Sequence, residues 1–383
     1  MTKSETFTVP GAVRILYVVG ARPNFVKMAP VIAELRRRRP DDHHVLVHTG
    51  QHYDPLMSEI FLDELGVPAP DYLLGVGSAS HAVQTARTMD RIEPVLQSER
   101  PDLVIVPGDV NSTLAVALVA VKLGIALAHL EAGLRSFDRT MPEEINRIVA
   151  DQFSELLFVH SPEAIDNLCA EGLATERIHF VGNTMIDSLV AMEARFRELH
   201  VSRTLGLKAG EYLLVTLHRP ALVDGPLLRE ALHQLNAVST QLPVVFPVHP
   251  RTRARIDDRE LSPHVHLIEP AGYLAFLSLQ ADAAAILTDS GGVQEESTYL
   301  GLPCFTLRDN TERPVTVTSG TNTLLGMEPA RIADVLPALA HRNGTPPPGP
   351  PSAWDGHASE RVADVVCGDR DAAVLEAATA GYA

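Results

Sequence analysis

Three carboxylates in the first half of the chain stand at or just beyond segments that predict buried strands. Asp109 ends the segment LVIVPGD, and Glu131 and Glu143 lie within residues 129–147, HLEAGLRSFDRTMPEEINR. Carboxyl groups that share a partly dry site have raised proton affinities and can exchange protons near neutral pH. The arginines of the same segment offer an alternative, in which the carboxylates belong to a structural ion network. The residue types alone do not decide between acid–base chemistry and such a network.

Two cations follow the first predicted strand. The segment GARPNFVKMAP, residues 20–30, places Arg22 and Lys27 where a strand ends and a helix begins. Backbone amides at a helix N-terminus bind anions, and the two side chains add positive charge. Lysine is scarce in this chain, and the spacing of a Walker loop is absent. We therefore predict an anion-binding site here rather than a solvated helix start.

A second anion-binding segment, LTDSGGVQEEST, occupies residues 287–298. Ser290, Gly291 and Gly292 let backbone N–H groups approach phosphate oxygens closely, and Glu296 is placed to accept hydrogen bonds from ribose hydroxyls. Taken alone, the segment is equally typical of a tight turn with a capping serine. Facing the first anion site across a cleft, it predicts a pocket for a nucleotide diphosphate.

The positions of the histidines and cysteines indicate a further diphosphate contact and argue against a metal site. His218 and Arg219, in TLHRP, stand at the first strand end of the second half, where a histidine can protonate a leaving diphosphate or bond to it. The chain has 16 histidines, so a purely structural histidine is the alternative. The segment HTGQH has no evident carboxylate or cysteine partner, which argues against a metal site. The three cysteines lack C-x-x-C spacing, so neither a disulfide framework nor a thiolate zinc site is predicted.

The elements that must position these residues form a repeating pattern of buried strand, polar loop and helix. The predicted strands cover residues 13–20, 44–50, 103–109, 125–133, 156–161 and 178–183 in the first half, and 212–219, 243–250, 265–270, 284–292 and 303–309 in the second. This pattern is typical of parallel α/β sheets. Two such sets predict an α/β protein with two Rossmann-like, doubly wound domains and a cleft between them. Ligands bind beyond the carboxyl ends of parallel strands, so the polar residues that follow these strands are expected to line the cleft.

Length and composition set the outer limits. A chain of 383 residues suits two domains, and a predicted helix at 184–199 stands near their boundary. The formal charge of −16 argues against general nucleic-acid binding. No apolar run approaches the ~20 residues that a bilayer-spanning helix needs, so no membrane association is expected. The N-terminal MTKSETFTVP lacks a signal pattern, and we expect a cytoplasmic protein.

With these residues assembled, the chain resembles the non-hydrolysing bacterial UDP-N-acetylglucosamine 2-epimerases from about Arg14 to about Val366. The matching segments are GARPNFVKMAP, HTGQHYD, PGDVNST, EAGLRSFDRTMPEEINR, GNTMIDSL, TLHRP, PVHPRT, LTDSGGVQEE, RDNTERP and AWDGHASER. The resemblance implies a glycosyltransferase-B type fold, with residues 1–184 plus 367–383 in the N-terminal domain and 185–366 in the C-terminal, UDP-binding domain. It also implies a homodimer.

The resemblance further implies a reaction that inverts C2 of the sugar in UDP-GlcNAc to give UDP-ManNAc. The C2 proton and UDP leave to produce 2-acetamidoglucal, and UDP then adds back with protonation on the opposite face. Departure of UDP must assist removal of a weakly acidic C2 proton, and the released diphosphate needs cations and amide donors. No redox cofactor or metal is required, so we expect no cofactor.

Carried over by motif, the family's roles fall on particular residues of this chain. Asp109, Glu131 and Glu143 would surround the sugar as acid–base groups, with Arg22 and His218 on the diphosphate and Lys27 near both. The other residues expected to bind substrate are Arg135, Phe276, Ser290, Gly291, Gly292, Glu296 and Arg313. Some bacterial members are activated by a second UDP-GlcNAc, and the residues that would correspond to that site are Gln51, His52 and His249.

Departures and alternatives accompany this interpretation. Ala221 and Leu222 stand where relatives commonly carry polar residues, so a contact near His218 is expected to be missing. A hydrolysing relative would release ManNAc and UDP, and another relative would act on a modified UDP-sugar such as a diacetamido uronic acid. A regulator that binds a nucleotide sugar without catalysis is the alternative outside enzymes, and the retained carboxylates argue against it.

Overall fold

The computed structural model of the protein describes residues 13–50, 62–342 and 346–368. The chain divides into two compact units, which we call unit 1 (Met1–Ser188 and Ser352–Ala383) and unit 2 (Leu189–Pro351). The first boundary lies within the helix that the sequence predicts at residues 184–199.

Unit 1 is built on a parallel sheet whose strand order is β3-β2-β1-β4-β5-β6-β7. Its strands are β1 (Arg14–Val19), β2 (His43–His48), β3 (Tyr72–Leu73), β4 (Leu103–Pro107), β5 (Ala126–Leu130), β6 (Leu156–Val159) and β7 (Ile178–Phe180). The helices between them are α1 (Arg22–Arg38), α2 (His81–Glu99), α3 (Asn111–Lys122), α4 (Pro142–Phe153) and α5 (Pro162–Ala170), with a short 3-10 turn at Thr175–Arg177. Helix α6 (Thr184–Leu199) follows β7, and the boundary between the two units falls within it.

Strand β1 shows why the unit 1 sheet is buried on both faces. Ile15, Tyr17 and Val19 pack with α1 on one face. Leu16 and Val18 point the other way and pack with α2 and α3. A strand that is covered on both faces must be apolar throughout, which is why it reads as a continuous run of aliphatic residues rather than an alternating one.

Unit 2 repeats the same winding, with strand order β10-β9-β8-β11-β12-β13 and all pairs parallel. Its strands are β8 (Leu213–Thr216), β9 (Val244–Pro247), β10 (Val265–Ile268), β11 (Ala285–Thr288), β12 (Cys304–Thr306) and β13 (Asn322–Leu324). Its helices are α7 (Val201–Thr204), α8 (Pro220–Val223), α9 (Leu227–Ser239), α10 (Pro250–Arg253), α11 (Tyr273–Ala281), α12 (Gly291–Tyr299), α13 (Val315–Thr318) and α14 (Val335–Arg342), with 3-10 segments at Asp258–Glu260 and Pro329–Asp334.

The chain returns to unit 1 at Ser352, before residue 367, where the sequence analysis places the return. Trp354 is fully buried, and its indole N–H donates to the carbonyl of His160 over 2.9 Å. Helix α15 (Ala358–Cys367) follows, and its Val362 and Ala363 join the apolar cluster that α1 forms with the sheet. A single buried tryptophan creates no periodic pattern, so the sequence offers no signal for this earlier return.

Asp187 fastens the start of α15 to α6. Its carboxylate accepts hydrogen bonds from the backbone N–H groups of Ala358 and Ser359 over 3.0 and 2.6 Å. A carboxylate on the first N–H groups of a helix satisfies donors that have no partner within the helix and interacts favourably with the helix dipole.

The predicted fold class, α/β with two doubly wound Rossmann-like sheets, is confirmed. Two strands escape the sequence analysis, β3 and β13, and both lie at a sheet edge. In the described part of the chain, no helix is both long enough and apolar enough to cross a bilayer.

Candidate active site

In a doubly wound sheet, ligands bind where the strand order reverses, beyond the carboxyl ends of the strands. In unit 1 that point lies between β1 and β4. The structure brings Lys27 of α1 and Glu131, which follows β5, into a buried ion pair there. Gly108, just after β4, borders the pair. A Cβ added to Gly108 would lie 3.3 Å from Lys27 Nζ and 3.4 Å from Glu131 Oε2.

The backbone at Glu131 is unusual. Its φ is +67°, in the left-handed region that non-glycine residues seldom adopt. Such a conformation costs about 1 to 3 kcal/mol and persists only where the surrounding structure enforces it. Strain of this kind clusters at functional sites, and here it falls on one of the three predicted acid–base residues.

The turn between β1 and α1 is organised by Asn24. Its side-chain oxygen accepts hydrogen bonds from the N–H groups of Gly20 and Ala21, each over 3.0 Å. Arg22 is exposed at the first position of α1, whose first turn carries no acidic residue. This helix end therefore keeps the positive electrostatic character that the sequence predicts for an anion site.

Asp109 forms an ion pair with the buried Arg147 of α4. Arg147 also donates to Glu144 Oε2 over 2.5 Å. The Asn146 amide donates to the carbonyl of Asp109 over 2.8 Å. Glu143, beside Glu144 in the first turn of α4, is half-buried. Part of the structural ion network raised as an alternative therefore exists, and it contains Asp109.

Glu144 shapes the loop that precedes α4. It accepts hydrogen bonds from the N–H groups of Ser136 and Phe137 and from the Ser136 hydroxyl, each over 2.9 Å. Phe137 adopts φ +59° and leaves 79% of its surface exposed. The carboxylate of Glu144 thus fixes the conformation of this loop through three hydrogen bonds, and no regular sequence pattern predicts that conformation.

Behind β4 and β5 lies a buried group of charges that the sequence analysis does not predict. His129 of β5 is fully buried, with Nδ1 2.7 Å from Asp151 Oδ1 and Nε2 2.7 Å from the carbonyl oxygen of Gly108. Burial alone would raise the pKa of Asp151, but its bonds and charge interactions with His129 and Arg135 outweigh burial and hold that pKa below its ordinary value. Asp151 is therefore an ionised carboxylate.

Arg135, predicted to bind substrate, lies in this same buried group. Its guanidinium contacts Asp151 Oδ2 over 2.7 Å and donates to both carboxylate oxygens of Glu171 over 2.7 Å each. Its side chain is 1% exposed. In the structure, therefore, Arg135 contacts two protein carboxylates and donates to the carbonyl of Leu134 over 2.6 Å.

In unit 2, the strand order reverses between β8 and β11, and Asp289 stands at the end of β11. Its Oδ2 accepts from the N–H groups of His218 and Arg219, each over 2.8 Å, and its Oδ1 lies 2.9 Å from His218 Nδ1. Burial opposes ionisation, but the bonds and charge of His218 lower the pKa of Asp289. His218 Nδ1 therefore lies against a buried carboxylate while the ring itself is half-exposed, which places this side chain to reach an external ligand.

The guanidinium of Arg313 lies against the N-terminus of α12. Gly291 packs so closely on Arg313 that a Cβ at position 291 would lie 2.6 Å from its Nη1. Arg313 is buried and is held by Glu295 over 3.0 Å and by Glu312 over 3.3 Å. Unpaired helix N–H groups beside a fixed guanidinium form a site suited to a phosphate.

Glu296, predicted to accept from a ribose, is buried within α12. Burial raises the pKa of Glu296 to about 8, although the hydrogen bond from the Tyr273 hydroxyl opposes this; the nearby charge of Glu295 raises it further. The Tyr273 bond spans 3.1 Å. Glu296 is therefore mostly protonated at neutral pH and can donate as well as accept. Phe276, three residues after Tyr273 on α11, is half-buried against the unit 2 core.

This shift predicts how stability depends on pH. Between its ordinary pKa of 4.5 and the folded value of about 8, Glu296 holds a proton that the unfolded chain releases. The contribution of Glu296 to the free energy of unfolding is thus complete below pH 4.5 and is lost as the pH rises through about 8. The free energy of unfolding changes with pH by at most about 1.4 kcal/mol per pH unit from this group. From pH 6 to 8.5, we expect the melting temperature of the wild type to fall more steeply than that of Glu296→Gln.

Other titrating groups contribute to both slopes, so the difference between the two proteins is the measured quantity. Glu230→Gln, at an exposed position on α9, is the matched control and should keep the wild-type slope. Equal slopes for the wild type and Glu296→Gln would show that Glu296 is ionised in the folded protein.

Gln51 and His52 lie outside the described residues. His249 is exposed between β9 and α10. Of the two residues that depart from the family pattern, Ala221 is exposed and Leu222 is fully buried in α8.

A family model described as UDP-N-acetylglucosamine 2-epimerase matches residues 34–367. A UDP-N-acetylglucosamine 2-epimerase of Methanococcus maripaludis is 40% identical over 371 residues, covering 93% of this chain and 99% of that protein. The UDP-2,3-diacetamido-2,3-dideoxy-D-glucuronate 2-epimerase of Pseudomonas aeruginosa is 44% identical over 318 residues, covering 82% of this chain and 88% of that protein.

A solved structure agrees in fold as well as sequence. The crystal structure of Methanocaldococcus jannaschii UDP-GlcNAc 2-epimerase in complex with UDP-GlcNAc and UDP superposes with a TM-score of 0.79 at 39% sequence identity. The match covers 92% of this chain and 99% of that one.

Proposed function

Since this chain belongs to the UDP-N-acetylglucosamine 2-epimerase family, we propose that it interconverts UDP-GlcNAc and UDP-ManNAc without hydrolysis. The observation that carries the proposal is Glu131, a carboxylate in a left-handed backbone conformation that is buried against Lys27 where the unit 1 strand order reverses. A strained, buried carboxylate beside a cation is suited to proton transfer at carbon, and simple nucleotide binding would not need it.

The proposed reaction begins with departure of UDP from C1 and loss of the C2 proton to a carboxylate, which gives 2-acetamidoglucal. Re-addition of UDP with delivery of a proton to the opposite face then completes the inversion. Two-faced exchange needs more than one acid–base group, and Asp109, Glu131 and Glu143 are the proposed set. The carboxylate of Asp109 forms an ion pair with Arg147 of α4. Proton exchange at Asp109 would therefore be coupled to the ion pairs of Arg147.

Negative charge develops on UDP as it leaves, and preorganised donors stabilise it best. In this proposal, the N-terminus of α12 with Arg313 binds a phosphate, and His218 Nε2 bonds to the diphosphate. Arg22 at the start of α1 adds a further cation. Glu296 bonds to a ribose hydroxyl, and its protonated state in the ligand-free protein lets it act as donor or acceptor.

A modified UDP-sugar is the second candidate substrate. The Pseudomonas aeruginosa relative is named for UDP-2,3-diacetamido-2,3-dideoxy-D-glucuronate and is 44% identical to this chain. Inversion at C2 is common to both substrates, so the same acid–base groups serve either one. The choice is therefore made by contacts to C3 and C6 of the sugar, and both substrates belong in the first experiment.

Proton NMR of the purified protein with each UDP-sugar in deuterated water tests the proposal. We expect UDP-ManNAc with deuterium at C2 from UDP-GlcNAc. Free ManNAc with UDP would identify a hydrolysing enzyme. Turnover of the diacetamido uronate alone would assign the second substrate. Binding of both sugars without C2 exchange would leave only a regulator and would refute the catalytic proposal.

A further inference from the structure

The hydrogen bonds of His129 define its charge. A backbone carbonyl can only accept, so the 2.7 Å contact between Nε2 and the Gly108 oxygen requires a proton on Nε2. An ionised carboxylate also only accepts, so the 2.7 Å contact between Nδ1 and Asp151 Oδ1 requires a proton on Nδ1. Two protons on one ring make His129 an imidazolium, although the ring is fully buried.

A buried cation needs compensating charge. Asp151 supplies the first negative charge, and its second oxygen binds Arg135. Arg135 in turn pairs with Glu171. Two cations and two carboxylates thus form a neutral group, which is the condition under which an interior imidazolium is stable.

This group holds the two turns that carry predicted acid–base residues. His129 binds the carbonyl of Gly108, whose φ of +62° sets the path of the chain into Asp109. Asp151 Oδ2 also accepts from the N–H of Gly133 over 3.1 Å, two residues after Glu131. One side-chain pair therefore fixes the backbone on both sides of the site.

The close packing at Gly108 makes this support sensitive to small shifts. A Cβ there would lie 3.3 Å from Lys27 Nζ and 3.4 Å from Glu131 Oε2, so the Gly108 backbone runs directly beside that ion pair and a displacement of this turn alters the space around it. Misplacing a catalytic group by about 1 Å can cost about a hundredfold in rate.

We propose that His129, as an imidazolium paired with Asp151, is a positioning residue of the acid–base site. It touches no reacting atom and acts through the Gly108 carbonyl and, with Asp151, through the Gly133 amide. The role in turnover rests on the proposed epimerase function, whereas the charge state of the ring does not.

The charge state is tested by NMR of the full chain labelled with ¹⁵N-histidine, without substrate. His129 is assigned as the resonance missing from His129→Gln. We expect both of its nitrogens to have protonated shifts at pH 7.5, and Asp151→Asn to convert the ring to a neutral tautomer. A neutral ring in the wild type would overturn the proposal, whatever the substrate.

The positioning role is tested by C2–H exchange with the substrate found above, comparing His129→Gln, His129→Leu and Asp151→Asn. We expect kcat to fall by about 10- to 100-fold in His129→Leu and Asp151→Asn, and less in His129→Gln, because glutamine keeps a donor for Gly108. UDP affinity should change less than about twofold.

Asp187→Asn is the matched control, because it removes another buried carboxylate of unit 1 that accepts two backbone N–H groups. It should lower the melting temperature while leaving kcat near that of the wild type. If His129→Leu lost kcat no more than Asp187→Asn at equal loss of melting temperature, His129 would be merely structural and the positioning role would be refuted. Absence of turnover in the wild type would instead refute the proposed function, and the charge state would still stand on the NMR result.

Discussion

Glu131→Gln should lose about a thousandfold in turnover, within the range of 10² to 10⁴ that positioned acid–base groups contribute. Glutamine has nearly the same shape as glutamate, but its amide does not accept a proton from carbon or return one. Asp109→Asn should show a loss of the same order for the same reason. The measurement is C2–H exchange and product formation by proton NMR, at saturating UDP-sugar.

The Kd for UDP distinguishes a loss of proton transfer from a general loss of folded, ligand-binding protein. The groups proposed for UDP lie largely in unit 2 and are untouched by either substitution, so the Kd for UDP should stay within about threefold of the wild type. Glu131→Gln also leaves the buried Lys27 without its described anionic partner, and the melting temperature reports that cost separately. Glu176→Gln, at an exposed position of unit 1, is the control and should behave as the wild type. Normal turnover by Glu131→Gln would show that Glu131 is not an acid–base group.

Gly291→Ala is expected to weaken UDP binding by about 10- to 100-fold. The new Cβ would lie 2.6 Å from Arg313 Nη1 and 2.9 Å from its Cζ, closer than real contacts allow. Arg313 can retreat only by disturbing its ion pairs with Glu295 and Glu312. Overpacking of this kind costs about 1 to 3 kcal/mol, and about 1.4 kcal/mol is a factor of ten in affinity. Isothermal titration with UDP measures the change.

Gly225→Ala is the matched control in the same unit, because a Cβ there would meet nothing within 4 Å. It should bind UDP as tightly as the wild type. If Gly291→Ala also bound UDP normally, the phosphate would not lie at the N-terminus of α12, and the assignment of Arg313 to the diphosphate would fail with it.

The strands that the sequence predicts include those in the middle of each sheet, which are buried on both faces and must therefore be apolar. β1, β4 and β8 are buried in the sheet interior, and their apolar runs are visible without any alignment. β3 and β13 are only two and three residues long and lie at edges, where pairing with one neighbour forms the strand. Strands this short give no periodic pattern in the sequence, so the sequence analysis does not predict them.

The site was predictable to a similar degree. Residue types and strand ends suffice to place Lys27, Glu131 and Asp109 at one edge of a sheet. The distances that join Lys27 to Glu131, and Asp109 to Arg147, depend on packing between elements far apart in sequence. The protonation of Glu296 also escaped prediction, because it follows from burial rather than from residue type.

The return of the chain at Ser352 also affects the order in which the protein can be completed on the ribosome. Helix α15 covers part of α1, yet it is made after all of unit 2. While unit 2 emerges, the apolar face of α1 around Met28 and Leu35 lacks the cover of Val362 and Ala363, and the carboxylate of Asp187 lacks the two N–H groups that it later binds. The first unit to be synthesised is therefore the last to be finished, and for much of translation it presents a surface on which a chaperone could act.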